Sequence, residues 1–446
     1  MKQNRFTRYM IIALAALSLS GCGGVAANST GTTKKFETNP RPVTQALTTV
    51  DHSTTLAETD PPETDPPEEE ETKGEFELTT AKPKFDDSTA IEDGVICLTG
   101  SCEKNSVLTV SGSTFETYTV NAQEKRWFIS IRLKEDQTDT ITIVAQTKGK
   151  NASKKLQIKV AYDTGSAAVF VGKNSQLHYP DTKPDYIGNN LWSDKQKEQV
   201  KKNILRRLER AQEATGKDTK LIYLIAPNHL TIYPEDAPDD LVKQKKSDNS
   251  RLRQFYEIVK EMNNDEVYAV ELIDYMMDNK KEGYLYFQTD THWNTLGSYF
   301  GYHQLMDIIY NDSGIKGTKP FELDEMDVYN DIRGGGDLVS FLGFDGGEVS
   351  ETTAYCNYAG ARKATSEGSG DGEVRYTTGN TALPTCVVMR DSFGAALMDH
   401  TSEHFNWIVW TPWNCGLDAC IDTLKTNKAD YFLQVLVERS IGTLLS

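Results

Sequence analysis

The chain has 446 residues, of which 25% are charged, and a formal net charge of −17. More than half of this charge lies between residues 58 and 77, where ten acidic residues accompany one lysine. Nucleic acid is therefore not expected as a partner, because its phosphates repel an acidic chain.

The first two dozen residues predict export. Lys2, Arg5 and Arg8 precede an apolar run over residues 9–19, which is typical of a secretory signal and too short to span a membrane. Residues 19–22, Leu-Ser-Gly-Cys, resemble the lipobox of bacterial lipoproteins, in which the cysteine is acylated. We therefore expect a signal peptide over residues 1–21 and an extracytoplasmic protein held to the cell membrane or envelope by a lipid on Cys22. The alternative is ordinary cleavage after Gly21, which would release a soluble protein.

Residues 22–88 predict a disordered stalk. Between residues 25 and 84 the chain is rich in Thr, Pro and Glu, and it repeats Thr-Asp-Pro-Pro at residues 59–62 and 64–67. Such a segment buries too little apolar surface to offset the entropy lost on ordering, so it is expected to be an extended tether.

The cysteines fit export but leave the disulfides open. The six that follow Cys22 are Cys97, Cys102, Cys356, Cys386, Cys415 and Cys420. The first two and the last two are each separated by four residues, so either pair could close a small loop. No His/Cys cluster has zinc-site spacing, and no metal is expected.

Residues 89–163 predict a small all-β domain. Short runs of alternating apolar and polar residues are separated by polar turns, at 107–110, 118–120, 127–131, 140–144 and 156–160. This pattern favours an immunoglobulin-like sandwich. Because no cluster of acids, bases or nucleophiles stands out in it, we expect a spacer rather than a glycan-contacting module.

Residues 164–446 predict an α/β domain. Strand-like runs at 168–171, 221–225, 267–270, 386–389, 407–410 and 431–435 alternate with helices over roughly 194–215, 250–263, 295–310 and 416–426. This alternation indicates three layers around a mainly parallel sheet, with the site at the carboxyl ends of the strands. Residues 350–383, rich in Gly, Ser, Thr and Asp, are expected to be an inserted surface loop.

A serine follows one predicted strand. Residues 390–394 read Arg-Asp-Ser-Phe-Gly and lead into a helix-compatible run. Backbone N–H groups at such a turn can stabilise a developing oxyanion, so Ser392 is the candidate nucleophile. The alternative is an ordinary helix cap formed by Asp391 or Ser392.

A serine hydroxyl needs a base, and the segment before the 295–310 helix supplies one. Asp290 and His292 are two residues apart, so in an extended chain both side chains can point to the same side. A carboxylate that orients an imidazole is the arrangement that activates a hydroxyl. The alternatives are a capping Asp290 or Asn294 and a structural His292. Outside the stalk, only His229 has a similar position at a strand end.

Residues 168–440 resemble the SGNH-hydrolase-like alginate O-acetyltransferase group, of the AlgX and AlgJ type and with related DHHW proteins. The matching stretches are residues 171–174 with Leu177, 226–234, 290–293, 336–338, 391–394 and 437–439. In this group the Asp-x-His segment precedes the serine, as it does here. The chain departs from the pattern at Arg390, where many members have glycine.

The resemblance implies a mechanism and site residues. Ser392 would accept an acetyl group, His292 would remove its proton, and Asp290 would orient the imidazole. Asn228, Arg390 and Trp293 are the candidates for oxyanion or substrate contacts. The backbone N–H of Ser392 is a further oxyanion candidate, and the glycines at 334–336 are weaker ones. The resemblance implies a polysaccharide acceptor, a membrane-bound O-acyltransferase as acetyl donor, and no cofactor.

Two other functions stay open. The same three residues would support a carbohydrate or peptidoglycan acetylesterase, because transfer and hydrolysis differ in whether a sugar hydroxyl or water reaches the acyl-enzyme. A non-catalytic glycan-binding lipoprotein is the third possibility. An unreactive Ser392 would favour that one, and transfer that outcompetes water would exclude the esterase.

Overall fold

The structure is a computed structural model that describes residues 78–446, except 92–93, 123, 166–168 and 369–371. The expected signal peptide, Cys22 and all of the expected stalk up to residue 77 lie outside the described residues. Within the described residues, no helix combines the length and the apolar character needed to cross a bilayer.

The N-terminal part is all β. Its strands are β1 (Lys84–Ile91), β2 (Val95–Ser101), β3 (Ser106–Ser111), β4 (Tyr118–Ala122), β5 (Arg126–Arg132), β6 (Thr138–Thr147) and β7 (Leu156–Ala161). They form two antiparallel sheets, in the orders β1-β2-β5 and β4-β3-β6-β7. Alternation explains the core between the sheets: Ile141, Ile143 and Ala145 of β6 are buried while the residues between them are not.

Strand β1 begins at Lys84, inside the region expected to be a stalk. Its side chains from Lys84 to Ser88 are exposed, so no apolar alternation marks the strand. Backbone pairing with β2, from Lys84 opposite Ser101 to Ile91 opposite Val95, holds it in the sheet. Such an edge strand is invisible to a search for periodic apolar residues.

The C-terminal part alternates strands and helices. Its strands are β8 (Phe170–Val171), β9 (Leu177–His178), β10 (Lys220–Ala226), β11 (Val267–Val270), β12 (Met326–Gly334), β13 (Ser350–Tyr358), β14 (Thr365–Gly368), β15 (Val374–Thr377), β16 (Thr385–Arg390), β17 (Trp407–Pro412) and β18 (Tyr431–Val437). Its α-helices are α1 (Lys183–Ile187), α2 (Asp194–Thr215), α3 (His229–Ile232), α4 (Asp239–Lys243), α5 (Arg251–Met262), α6 (Ile273–Asp278), α7 (Thr295–Ser313), α8 (Asp337–Phe341), α9 (Met398–Ser402) and α10 (Gly416–Asn427).

A seven-stranded sheet organises this part, in the order β11-β10-β18-β16-β17-β15-β14. The first five strands are parallel, and the hairpin of β14 and β15 extends the sheet antiparallel to β17. Helices α2, α5 and α10 pack together as one layer, while α7 packs with α6 and α9. The α/β domain expected from the sequence is present.

Two local predictions were wrong. Residues 350–383 are not simply a surface loop, because they contain β13, β14 and β15. Strand β14 lies at the sheet edge, where its exposed residues read as loop, and the half-buried β15 lies between β14 and β17. The strand expected near residues 168–171 is present as β8, but among the described residues it pairs with β9, through Phe170–His178 and Val171–Leu177, and it does not join the main sheet.

The two parts share a packed contact. Ile91, Val95 and Cys97 of the sandwich pack with apolar residues of the segment after β12, namely Leu338, Val339, Leu342, Phe344 and Val349. Arg126 Nε donates to the Gly347 carbonyl at 2.9 Å, and Thr89 Oγ1 donates to the Leu342 carbonyl at 2.9 Å. The sandwich therefore braces the segment over residues 335–349.

All six described cysteines are unpaired, so neither small loop is closed by a disulfide in this structure. Cys97, Cys356, Cys386 and Cys420 are buried. Burial raises the pKa of the Cys97 thiol to about 12, so it is held neutral and packs as a small apolar residue.

Candidate active site

Three neighbouring parallel strands end at one edge of the main sheet. Strand β10 leads to Asn228, β18 to Arg439 and β16 to Ser392. Because β18 pairs with both β10 and β16, these three strand ends lie side by side. A cleft at this edge is lined by Leu177, His178, Tyr179, Thr182, Asn228, His229, Asp290, Thr291, Leu338 and Arg439.

Ser392 begins a 3₁₀-helix over Ser392–Leu397, and Asp391 caps it. Asp391 Oδ1 accepts from the Phe393 N–H at 2.9 Å and Oδ2 accepts from the Val437 N–H at 2.7 Å. The cap is therefore Asp391, which ties the turn to the end of β18. The Ser392 side chain is left to make a different contact.

That contact is with His292. Ser392 Oγ lies 2.7 Å from His292 Nε2, and His292 Nδ1 lies 2.6 Å from Asp290 Oδ1. The Asp290 carboxylate also accepts from the His292 backbone N–H at 3.1 Å, which fixes the two residues relative to each other. The structure thus brings all three predicted residues into hydrogen-bonding distance, across 100 residues of sequence between His292 and Ser392.

The charges of the site favour a basic imidazole. Burial lowers the pKa of His292, but the hydrogen bond and charge of Asp290 outweigh burial and raise the pKa above its ordinary value of 6.5. Burial raises the pKa of Asp290, but hydrogen bonds from His292 and the charge of Arg333 bring it down to about 2. Arg333 Nη2 lies 3.2 Å from Asp290 Oδ2. Asp290 is therefore ionised at neutral pH and holds a proton on His292 Nδ1.

A second carboxylate lies near the first. Asp337 Oδ2 is 3.8 Å from His292 Nδ1, and the Asp337 carboxylate accepts from the Thr291 N–H at 2.8 Å and from Thr291 Oγ1 at 2.7 Å. Asp290, His292 and Asp337 are the one group among the described residues whose spacing could suit a metal ion. His292 Nδ1, the ring nitrogen that faces both carboxylates, already pairs with Asp290, so a metal held by these three residues would have to displace the Asp290–His292 hydrogen bond.

Asn228 lies in the cleft, as predicted for an oxyanion residue. Its Nδ2 is 3.4 Å from Asp185 Oδ2, and its buried Oδ1 has no hydrogen-bond partner among the described residues. In this orientation the amide presents oxygen, not nitrogen, to the unpaired side. Donation to an oxyanion requires the amide to turn over, which exchanges two atoms of similar size.

The other candidates for oxyanion or substrate contacts do not line the cleft. Trp293 is 1% exposed, and its Nε1 donates to the Phe393 carbonyl at 3.2 Å, so it supports the turn from within the core. Arg390 is 8% exposed, and a Cβ atom added to Gly394 would lie 2.7 Å from the Arg390 Cβ. The absence of a side chain at Gly394 thus leaves room for Arg390, which stands where many members of the group have glycine.

Of the weaker oxyanion candidates at 334–336, the last two have backbone N–H groups that are already hydrogen-bonded. The Gly335 N–H donates to the Gly346 carbonyl at 2.8 Å, and the Gly336 N–H donates to Thr289 Oγ1 at 3.0 Å. Gly336 has a different use: a Cβ atom there would lie 2.4 Å from the Asp290 Cβ. Only glycine lets this segment approach Asp290 so closely.

Sequence reasoning missed Arg439. Its guanidinium carbon lies 5.4 Å from the Phe393 ring centre and 5.6 Å from that of Tyr179. Within the described residues the guanidinium makes no hydrogen bond or ion pair, and it lines the cleft beside Asn228. The available signal was its place directly after a buried strand, in the stretch Val437-Glu-Arg439.

Comparisons with known proteins agree with this architecture. Residues 186–395 match the sequence model of a family described as SGNH hydrolase-like domain, acetyltransferase AlgX, which confirms the resemblance carried by the motifs. A search of curated proteins gave no match.

Several solved structures are similar at low identity. PatB1 of Bacillus cereus, solved with a sulfonyl adduct, is 14% identical with a TM-score of 0.46, over 62% of this chain and 96% of that one. A DHHW family protein of Eubacterium siraeum is 13% identical with a TM-score of 0.41, over 68% and 94%. The O-acetyltransferase domain of Pseudomonas putida AlgJ is 14% identical with a TM-score of 0.37, over 61% and 92%.

Proposed function

We propose that this protein is an extracytoplasmic O-acetyltransferase that acts on a cell-surface polysaccharide through an acetyl-serine intermediate. The observation that carries the proposal is the chain of contacts from Asp290 to His292 to Ser392, at 2.6 and 2.7 Å. A hydroxyl in this setting can lose its proton to the imidazole as it attacks a carbonyl. The matched acetyltransferase family supports acetyl as the group transferred.

The reaction has two halves. Ser392 Oγ attacks the acetyl carbonyl of a donor ester while its proton passes to His292 Nε2, and the donor alcohol leaves with that proton. A glycan hydroxyl then gives its proton to His292 and attacks the acetyl-serine, which releases the acetylated glycan and restores Ser392. The Ser392 N–H, at the start of a 3₁₀-helix, and Asn228 are proposed to stabilise the oxyanion in both halves.

The setting of the enzyme is part of the proposal. A lipid on Cys22 and a stalk that ends before β1 would hold the catalytic part near the membrane, where a membrane-bound O-acyltransferase would supply acetyl groups. We interpret the two β-sheets as an immunoglobulin-like spacer, on the basis of their strand orders β1-β2-β5 and β4-β3-β6-β7. Replacing Cys22 by serine should move the protein from the membrane fraction into the soluble fraction. Unchanged retention would contradict the lipid anchor.

The direct test of the chemistry is the mass of the intact protein after incubation with an activated acetyl ester. We expect one added acetyl group, located on Ser392 by peptide mapping and missing in Ser392→Ala. Acceptor oligosaccharides should then remove the acetyl group faster than water does. Release that is equally fast without acceptor would point to an acetylesterase, and an unreactive Ser392 in folded protein would contradict both activities.

A further inference from the structure

The Asp290–His292 pair is enclosed by a second acidic residue on a separate segment. Asp337, the first residue of α8, directs both carboxylate oxygens at Thr291, which stands between Asp290 and His292 in the chain. Its Oδ2 is also 3.8 Å from His292 Nδ1, on the side that faces Asp290. One carboxylate therefore binds the imidazole while the other binds the backbone that carries it.

The segment with Asp337 is fixed on two sides. Toward the site, the Gly336 N–H and the Leu338 N–H donate to Thr289 Oγ1 at 3.0 Å and to the Thr289 carbonyl at 3.2 Å. Away from the site, Leu338 and its apolar neighbours pack against Ile91 and Val95 of the sandwich. Asp337 is thus held in place by groups other than the residues it contacts, as preorganisation requires.

Several charged groups act on His292. Asp290 and Asp337 favour the charged, imidazolium form of His292, and Arg439 opposes it. Asp391, which caps the Ser392 turn, also interacts electrostatically with His292. Arg333 faces Asp290 rather than the imidazole. Burial and the charge of Asp290 raise the pKa of Asp337, which indicates that the two carboxylates are close enough to repel.

We propose that Asp337 is a positioning residue for the acyl transfer. It fixes Thr291, so that Asp290 and His292 keep their relative positions, and it stabilises the imidazolium formed when Ser392 gives up its proton. The inference rests on the proposed function for its catalytic consequence. Its electrostatic consequence, the effect of Asp337 on the protonation of His292, can be measured without any turnover.

Asp337→Asn is the test variant, because asparagine keeps the shape and one acceptor oxygen but removes the charge. We expect acetyl-serine formation to slow by about 10- to 100-fold, mainly in kcat rather than KM, with the acid limb of the rate moved to lower pH. Thr291→Val should change the rate in the same direction by less, since the Thr291 N–H remains. Asp345→Asn, an exposed acid on the same braced segment, is the matched control and should change neither quantity.

The second readout is the titration of the His292 ring, followed by NMR in unmodified protein and in Asp337→Asn. We expect a lower midpoint in the variant, and Asp337→Glu should restore part of the difference. An unchanged midpoint together with an unchanged rate would overturn the inference. If the proposed acetyl transfer is wrong, Ser392 will not be acetylated in any variant, yet the NMR shift will still be present, so the two failures are distinguishable.

Discussion

Two histidines of the α/β part take part in dense polar networks, but the networks differ. His292 lies between Asp290, which lines the cleft, and the hydroxyl of Ser392. His229 has Nδ1 3.2 Å from His178 Nδ1, and its Nε2 is 2.6 Å from the Tyr284 hydroxyl. We refer to these as the His292 site and the His229 cluster.

The difference lies in the hydroxyl that each histidine meets. Ser392 sits at a helix start, where N–H groups can meet an oxyanion, whereas Tyr284 also contacts Asp236 and Gln176 and is tied into the interior. Stacked rings of Phe170, His178 and His229 fill the space beside it. Burial and the neighbouring His229 hold the pKa of His178 well below 6.5, so His178 stays neutral. His229 also has a carboxylate beside it, since its Nε2 lies 3.2 Å from Asp236 Oδ2, so the two sites differ in the hydroxyl and not in the presence of an acid.

Removing a member of the His292 site should have the largest effect. Ser392→Ala, His292→Ala and Asp290→Asn should each lower acetyl-serine formation or ester cleavage by about 10,000-fold or more, and double variants should be little worse. The measurement is kcat/KM with an activated acetyl ester, on protein whose unfolding curve matches the unmodified one. Additive losses would mean that the residues act separately, and an active Ser392→Ala would exclude the covalent intermediate.

Gly336→Ala should cause the next largest loss of rate. The added methyl carbon would lie 2.4 Å from the Asp290 Cβ, so Asp290 or the braced segment must move. A displacement of about 1 Å in a positioned catalytic group can cost about 100-fold in rate. Gly347→Ala is the matched control on the same segment, because its nearest contact is the Asp345 side chain at 3.1 Å. Equal rates for the two variants would show that the close approach to Asp290 is not needed.

The pH dependence of the rate should reflect the pKa of His292. The base must be unprotonated, so activity falls as pH drops through the pKa of His292. Because Asp290 raises that pKa against the effect of burial, we expect the midpoint of the acid limb above 6.5. A rate profile between pH 5 and 9 is the measurement. Full activity well below pH 6 would show that His292 is not the base.

The sequence predicted which three residues meet at the His292 site better than it predicted the residues around them. Asp290, His292 and Ser392 could be recognised because a strand-to-helix turn and a two-residue spacing are local features. Asp337 and Gly336 could not be assigned, because their roles depend on a contact made by folding across 46 or more residues. Trp293 and Arg390 do not line the cleft, because closeness in the chain to His292 or Ser392 does not determine which way a side chain points, and both side chains are buried.

The same reasoning applies to the fold. Helix α2 was predictable from its apolar period and from Gln196, whose side chain accepts from the Ser193 N–H at 2.9 Å. The five parallel strands were predictable because buried strands read as apolar runs. Strands β1 and β14 lie at sheet edges and carry mostly exposed side chains, so the strands that they pair with, and not their own pattern, determine them. Strand β15 is a half-buried strand of four residues that lies between β14 and β17.

The His229 cluster should matter for stability rather than for rate. Tyr284→Phe removes the hydroxyl that links His229 Nε2 to Asp236 and Gln176, so each of these groups loses one hydrogen bond. We expect a loss of about 1–3 kcal/mol in the free energy of unfolding, with kcat/KM within a few-fold of the unmodified protein. Tyr310→Phe, in α7, is the control. A large loss of rate at unchanged stability would place the cluster in the catalytic machinery.

The buried acid Glu438, beside the His229 cluster, should affect only how stability depends on pH. Glu438 is fully buried and accepts from the Asn228 N–H at 2.9 Å and from Thr231 Oγ1 at 2.5 Å, so it holds the start of α3. Burial and the charge of Asp185 raise the pKa of Glu438 to about 7. The folded protein therefore binds this proton more tightly than the unfolded chain does.

The sign of the pH dependence follows from that difference. The contribution of Glu438 to stability is fully present below about pH 4, declines as the pH rises through the folded pKa near 7, and is absent above it. Glu438→Gln cannot ionise, so between pH 5 and 8.5 its stability should fall less than that of the unmodified protein, by up to about 3 kcal/mol. Glu209→Gln, an exposed acid of α2, should leave the slope unchanged. Denaturant unfolding at several pH values measures all three, and identical slopes for Glu438→Gln and the unmodified protein would mean that Glu438 is ionised in the folded state throughout this range.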